Sequence, residues 1–136
     1  MTKVLRHILM IDDDPDDALF FQDALADLAP DTNFSYMQDG ERAIEFLVQC
    51  RRDLYPDVIF MDISMPTMNG WDCLREIKKI MYHNRIPIVM FSTLNFKLQE
   101  LSPSDVGATA FLTKADSMWG LKKNLTNLFN TLFPEL

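Results

Sequence analysis

The chain has 136 residues, 48% of them hydrophobic, and a formal net charge of −7, which suits one globular domain with a sizeable core and argues against disorder. With 13 Lys and Arg against 20 Asp and Glu, it lacks the clustered basic charge that nucleic acid or anionic lipid would require. No basic-then-apolar leader opens it and no run approaches about 18 apolar residues, so neither a signal peptide nor a membrane span is expected, and the expected compartment is the cytoplasm.

Residues 4–11 contain the apolar run Ile8-Leu9-Met10-Ile11, which stops at Asp12-Asp13-Asp14-Pro15 and reads as a buried strand followed by an acid cluster. Asp14 before Pro15 has the form of a helix N-cap with proline in the first helical position, and Ala18, Phe21, Leu25 and Leu28 follow at helical spacing. Residues 34–37 form a short second strand and Asp39-Gly40 a turn. Ala43, Ile44, Leu47 and Val48 then mark the apolar face of a second helix. Val58-Ile59-Phe60-Met61 is a third strand, apolar on both faces, with Asp62 at its end. Trp71, Leu74, Ile77 and Met81 mark a third helix, and residues 86–91 a fourth strand ending at Ser92-Thr93. Residues 95–101 allow only a short helix before Pro103. Residues 110–113 make a fifth strand ending at Lys114, and Leu121, Leu125, Leu128, Phe129 and Leu132 form the stripe of a final helix.

Five strands alternating with five helices imply a doubly wound α/β domain with a parallel sheet covered on both sides. One domain is expected over residues 1–136, with its core at about 5–133. Cys50 and Cys73 form no CxxC pattern and fall in predicted helices, as buried thiols rather than a disulfide framework.

A parallel sheet brings the carboxyl ends of its strands to one edge, where ligands bind. That edge collects Asp12 and Asp13 from the first strand, Asp62 from the third, Ser92 from the fourth and Lys114 from the fifth. Singly, each has an ordinary explanation: a DD pair or a lone Asp caps a turn, Ser92 is a satisfied loop hydroxyl and Lys114 a solvated cation. Together they form a phosphoryl acceptor. Three clustered carboxylates repel unless a cation lies among them, and hard oxygen ligands select Mg²⁺ or a close relative. Asp62 can then act as a nucleophile toward phosphorus, with Lys114 neutralising one phosphoryl oxygen and the Ser92 hydroxyl donating to another.

These motifs, with Met65-Pro66, Asn69-Gly70, Ile86-Pro87-Ile88-Val89-Met90-Phe91 and Gly107-Ala108 leading to Phe111-Leu112-Thr113-Lys114, resemble the response-regulator receiver domain of two-component signalling across essentially the whole chain. The resemblance implies the flavodoxin-like strand order 2-1-3-4-5. It makes Asp62 the phosphoacceptor, with Asp13 and Asp62 as direct ligands of Mg²⁺ (or Mn²⁺), Asp12 acting through water and the Ser64 backbone carbonyl completing the set. Ser92 becomes the switch hydroxyl and Phe111 the switch aromatic. Ser64 and Leu94 would flank the path of the hydrolytic water; Leu94 offers that water no hydrogen bond, so slow self-dephosphorylation is expected. The donor would be a phosphohistidine on a sensor histidine kinase or histidine phosphotransfer protein, so His7 and His83 read as structural or surface residues. The switched surface would serve a downstream protein or a second copy of the chain, or the group would be relayed onward.

Three features depart from the family pattern. Lys114 is followed by Ala115 where proline is usual, and cis peptide bonds are rare without proline. Residues 49–55 are a few longer than in minimal receivers, a length that resembles stand-alone receivers partnering phytochrome-like kinases. Pro103 shortens the helix after the fourth strand, on the face commonly used for output. The sequence ends with its final helix, so output through a surface is expected. Chemistry limited to the domain's own phosphorylation and dephosphorylation is expected, rather than a phosphatase of haloacid-dehalogenase type, because Ser64 stands where such an enzyme needs a second acid. The other alternative is a degenerate receiver that binds partners without phosphorylation, against which the intact Asp12, Asp13, Asp62, Ser92 and Lys114 set argues.

Overall fold

The computed structural model describes residues 5–81, 86–93 and 107–134. Its elements in order are β1 (His7–Ile11), α1 (Pro15–Leu28), β2 (Asn33–Met37), α2 (Gly40–Gln49), a 3-10 turn (Arg52–Leu54), β3 (Val58–Asp62), α3 (Gly70–Ile80), β4 (Ile88–Ser92), β5 (Ala110–Thr113) and α4 (Met118–Leu132). All strand pairs are parallel and the sheet order is β2-β1-β3-β4-β5, as the alternation and the resemblance imply. The helix expected over 95–101, Pro103, His83 and Leu94 lie outside the described residues.

Alternation along the strands divides the core into two layers. Ile8, Met10, Val58, Phe60, Val89 and Phe91 pack under α1 and α4 with Phe21, Leu125 and Phe129. Leu9, Ile11, Ile59, Met61 and Met90 pack on the other side with Ala43, Leu47, Leu74 and Ile77. Every residue of β3 and β4 is buried, which is why both read as unbroken apolar runs. Phe21 and Phe60 meet edge-on at 4.8 Å in the first layer, and truncating such a buried ring to Ala costs about 3–5 kcal/mol.

Local chemistry sets the helix starts. Asp14 Oδ1 accepts from the Asp16 amide at 2.9 Å, capping α1 with Pro15 in its first turn. Asp39-Gly40, expected as a turn, instead begins α2: Asp39 Oδ1 accepts from the Arg42 amide at 2.8 Å. Val48, expected on the buried face of α2, is 64% exposed. Ala43 and Leu47, one turn apart, meet the sheet, and the next residue is rotated about 100° away from it. The longer stretch after α2 forms the 3-10 turn. Cys50 and Cys73 are both free, Cys73 fully buried and Cys50 at the end of α2. His7 opens β1 and its Nε2 lies 2.7 Å from Ser35 Oγ, a structural contact as anticipated.

Candidate functional site

Hydrogen bonds at both ends of the strands set the frame on which the carboxyl edge is built. Asp57 accepts from the Arg6 and His7 amides at 2.6 and 3.0 Å, which sets β3 against β1. The Asp12 amide donates to Met37 O at 3.2 Å and the Lys114 amide to Ser92 O at 2.6 Å. Continuing the alternation, Asp12 follows Met10, Asp62 follows Phe60 and Lys114 follows Leu112 toward the α1 and α4 side. The three side chains meet there. Lys114 Nζ lies 3.0 Å from Asp12 Oδ2 and 3.5 Å from Asp62 Oδ1. Ser92 and Phe111 have the opposite parity, Phe111 packing with the second core layer.

Asp12 is fully buried, and its Oδ1 accepts from the Asp14 amide at 2.9 Å. Its Oδ2, although within ion-pair distance of Lys114, has no aligned hydrogen bond. Burial pushes the Asp12 carboxyl above its ordinary value, against the opposing Asp14 amide and Lys114 charge. Asp62 is driven further, to about 7: burial raises it first, Lys114 pulls it down, and Asp12 and Asp13 raise it again. Its Oδ1 receives a long 3.4 Å contact from the Ser64 amide. Burial alone would lower the Lys114 ammonium, but the carboxylates of Asp17, Asp12 and Asp62 more than offset that and hold its pKa up. A carboxyl raised well above its ordinary value beside a firmly charged lysine is the result.

Asp12, Asp13 and Asp62 each present one oxygen, all within 4.8 Å of one another. Three hard oxygens at that spacing fit a small divalent cation such as Mg²⁺ or Mn²⁺, and a cation there would relieve the repulsion that helps to raise Asp62. Ser64 lies exposed two residues past Asp62. Ser92 is 3% exposed at the end of β4, its hydroxyl 3.4 Å from Thr93 O and outside the acid cluster. Phe111 is half-buried, with its ring 6.2 Å from that of Trp71 at 70°. Among the described residues no peptide bond is cis, Lys114–Ala115 included.

The sequence pattern of the response regulator receiver domain matches residues 8–126. The chain belongs to that family. The receiver is 40% identical over 105 residues to a protein-glutamate methylesterase/protein-glutamine glutaminase of Idiomarina loihiensis, a match covering 73% of this chain and 25% of the relative. The chain thus spans about a quarter of the length of that curated relative. The phosphorylated cyanobacterial phytochrome response regulator RcpA superposes with a TM-score of 0.77 at 25% identity, covering 92% of this receiver and 91% of that chain. The Mn²⁺-bound form of response regulator Rcp1 shares the fold at a TM-score of 0.77 and 24% identity, with 96% of each chain covered.

Within this receiver the acids and the lysine read from the strand ends do converge, while Ser92 and Phe111 carry the opposite strand parity. Leu94 is outside the described residues. Three participants were not read from the sequence. Asp17 Oδ2 accepts from Lys114 Nζ at 2.7 Å, the shortest of the ammonium's three carboxylate contacts among the described residues. Tyr36 donates its hydroxyl to Asp12 O at 2.7 Å, and burial, followed by the nearby acids, pushes that phenol to about 12. Gly70 packs on the main chain of Asp62. The only hint of Asp17 was its place in the first turn of a helix that starts at the acid cluster. No helix among the described residues is long and apolar enough to cross a membrane.

Proposed function

We propose that this receiver accepts a phosphoryl group on Asp62 from a phosphohistidine of a sensor histidine kinase or histidine phosphotransfer protein in the cytoplasm. The observation that carries this is the buried Asp62 carboxylate facing Lys114 within a three-acid oxygen cluster at the sheet edge. An ionised Asp62 oxygen attacks phosphorus and the new O–P bond forms as the P–N bond breaks; the electron pair returns to the imidazole nitrogen, which takes a proton from solvent. Lys114 Nζ neutralises a phosphoryl oxygen. Asp13, Asp62 and the Ser64 carbonyl would hold Mg²⁺ or Mn²⁺ directly and Asp12 through water. When bound, that ion supplies the positive charge that keeps Asp62 ionised and spreads the charge of the transferring group.

The Ser92 hydroxyl then donates to the phosphoryl group, and Phe111 turns inward into the space that it vacates. The rearrangement shifts a two-state surface toward a downstream protein or a second copy of the chain, or precedes relay to another histidine. The domain performs no turnover beyond its own phosphorylation and dephosphorylation, with Ser64 and Leu94 setting the phosphoryl lifetime.

Intact-protein mass after incubation with Mg²⁺ and phosphoramidate tests the reading. One labile phosphoryl group on the parent and none on Asp62→Asn is expected. No adduct on the parent, beside a receiver that does react, overturns it in favour of a phosphorylation-independent binding module.

A further inference from the structure

Lys114 is more heavily engaged than a phosphoryl partner should be. Its ammonium has three N–H donors and three carboxylates around it: Asp17 Oδ2 at 2.7 Å, Asp12 Oδ2 at 3.0 Å and Asp62 Oδ1 at 3.5 Å. Among the described residues its aligned hydrogen bond goes to Asp17 Oδ2, so a phosphoryl group that is to draw the lysine toward Asp62 competes with Asp17. The side chains of Asp12 and Asp62 are 0% and 8% exposed, and that of Asp17 is 37% exposed. A buried carboxylate stripped of its counter-charge is costly, whereas a half-exposed one is taken up by water. Asp17 is the partner that can let go.

We propose that Asp17 is a positioning residue that holds Lys114 away from the acceptor in the unphosphorylated domain and surrenders it to the phosphoryl group, thereby restraining phosphorylation of Asp62. This rests on the phosphoacceptor reading. Asp17 is well placed for the part: it lies in the first turn of α1, whose start is fixed by Pro15 and the Asp14 cap. The lysine must therefore come to it. Asp17 also holds the nearest oxygen, while the acceptor carboxylate holds the farthest of the three. The Lys114 amide is bonded to Ser92 O at 2.6 Å, so the main chain of the lysine is anchored to the end of β4 and the transfer between partners falls to its flexible side chain.

The test compares the parent with Asp17→Asn, which keeps shape and removes charge, and with Asp16→Asn, which removes the same charge from the neighbouring exposed position without touching the lysine. Phosphorylation by phosphoramidate at saturating Mg²⁺ is expected to be about threefold to tenfold faster in Asp17→Asn and within about twofold of the parent in Asp16→Asn. The NMR signals of the Lys114 Hε and Cε atoms are expected to move on Asp17→Asn and to stay in place on Asp16→Asn. A parental or slower rate in Asp17→Asn, equal acceleration in both variants, or unmoved Lys114 signals overturns the inference while leaving the phosphoacceptor reading standing. A parent that takes up no phosphoryl group overturns both.

Discussion

The α-carbon of Gly70 lies against the main chain of Asp62, so close that a Cβ there would sit 2.4 Å from the Asp62 carbonyl oxygen and 2.8 Å from Ile63 Cα. The Gly70 amide donates to Ile63 O at 2.8 Å, so the start of α3 is clamped against the end of β3. Both obstacles are backbone and cannot rotate aside. Gly70→Ala is expected to cost about 1–3 kcal/mol of stability in urea unfolding and to slow phosphorylation of Asp62, because the strand end must move to admit the methyl group. A variant with parental stability and rate would show that the contact is easily relaxed.

The raised Asp62 carboxyl fixes the sign of a pH dependence. Its folded value of about 7 lies above the ordinary 3.8, so its contribution to stability is complete below about pH 4 and is lost as pH rises toward and through 7. Asp12, raised in the same direction, adds to the loss. The difference corresponds to about 4 kcal/mol at most. With a metal chelator present, Asp62→Asn should therefore have a flatter stability profile than the parent between pH 4.5 and 8, and be more stable by about 2–4 kcal/mol at the upper end. Denaturant unfolding across that range measures it, and parallel profiles would contradict the assignment.

A divalent cation should reverse that penalty. Mg²⁺ at about ten times its dissociation constant is expected to stabilise the parent by about 1.4 kcal/mol, and to bind more tightly at pH 7.5 than at pH 5.5, where Asp62 carries its proton. Asp13→Asn removes the most accessible of the three oxygens and should weaken binding at least about tenfold. Thermal unfolding against Mg²⁺ concentration reads both effects, and a melting temperature insensitive to Mg²⁺ would count against the metal site.

On the phosphoacceptor reading, Leu94 is expected to bear on how long the phosphoryl group lasts. Leu cannot hydrogen-bond an attacking water, and an amide at the same position can orient one. Phosphorylated Leu94→Asn should lose its phosphoryl group several-fold faster than the parent, followed by intact mass against time. Equal decay would remove Leu94 from the list of residues that set the lifetime.

Much of this was legible in the amino-acid order, for a physical reason. Strands buried on both faces must be apolar throughout, so Ile8-Leu9-Met10-Ile11, Val58-Ile59-Phe60-Met61 and Ile88-Val89-Met90-Phe91 announced themselves. Each run ends where the chain leaves the sheet, so Asp12, Asp62 and Ser92 were marked as edge residues by their position alone, and Lys114 by following the shorter run Ala110–Thr113. Asp14-Pro15 named its helix start through local capping chemistry. Where the deciding interaction was equally local but of two kinds, as at Asp39-Gly40, the turn reading lost to the cap.

Sequence by itself thus determined the fold class, the strand order through the family resemblance, and that Asp12, Asp62, Ser92 and Lys114 stand at the strand ends. Tertiary structure alone decided how Lys114 divides itself among Asp17, Asp12 and Asp62, why Gly70 must lack a side chain, and that Val48 faces solvent. Strand periodicity is a property of neighbouring residues and survives in the one-dimensional string. The Asp17–Lys114 contact joins residues 97 positions apart, and a pairing of that kind exists only once the sheet has brought the two ends of the chain together.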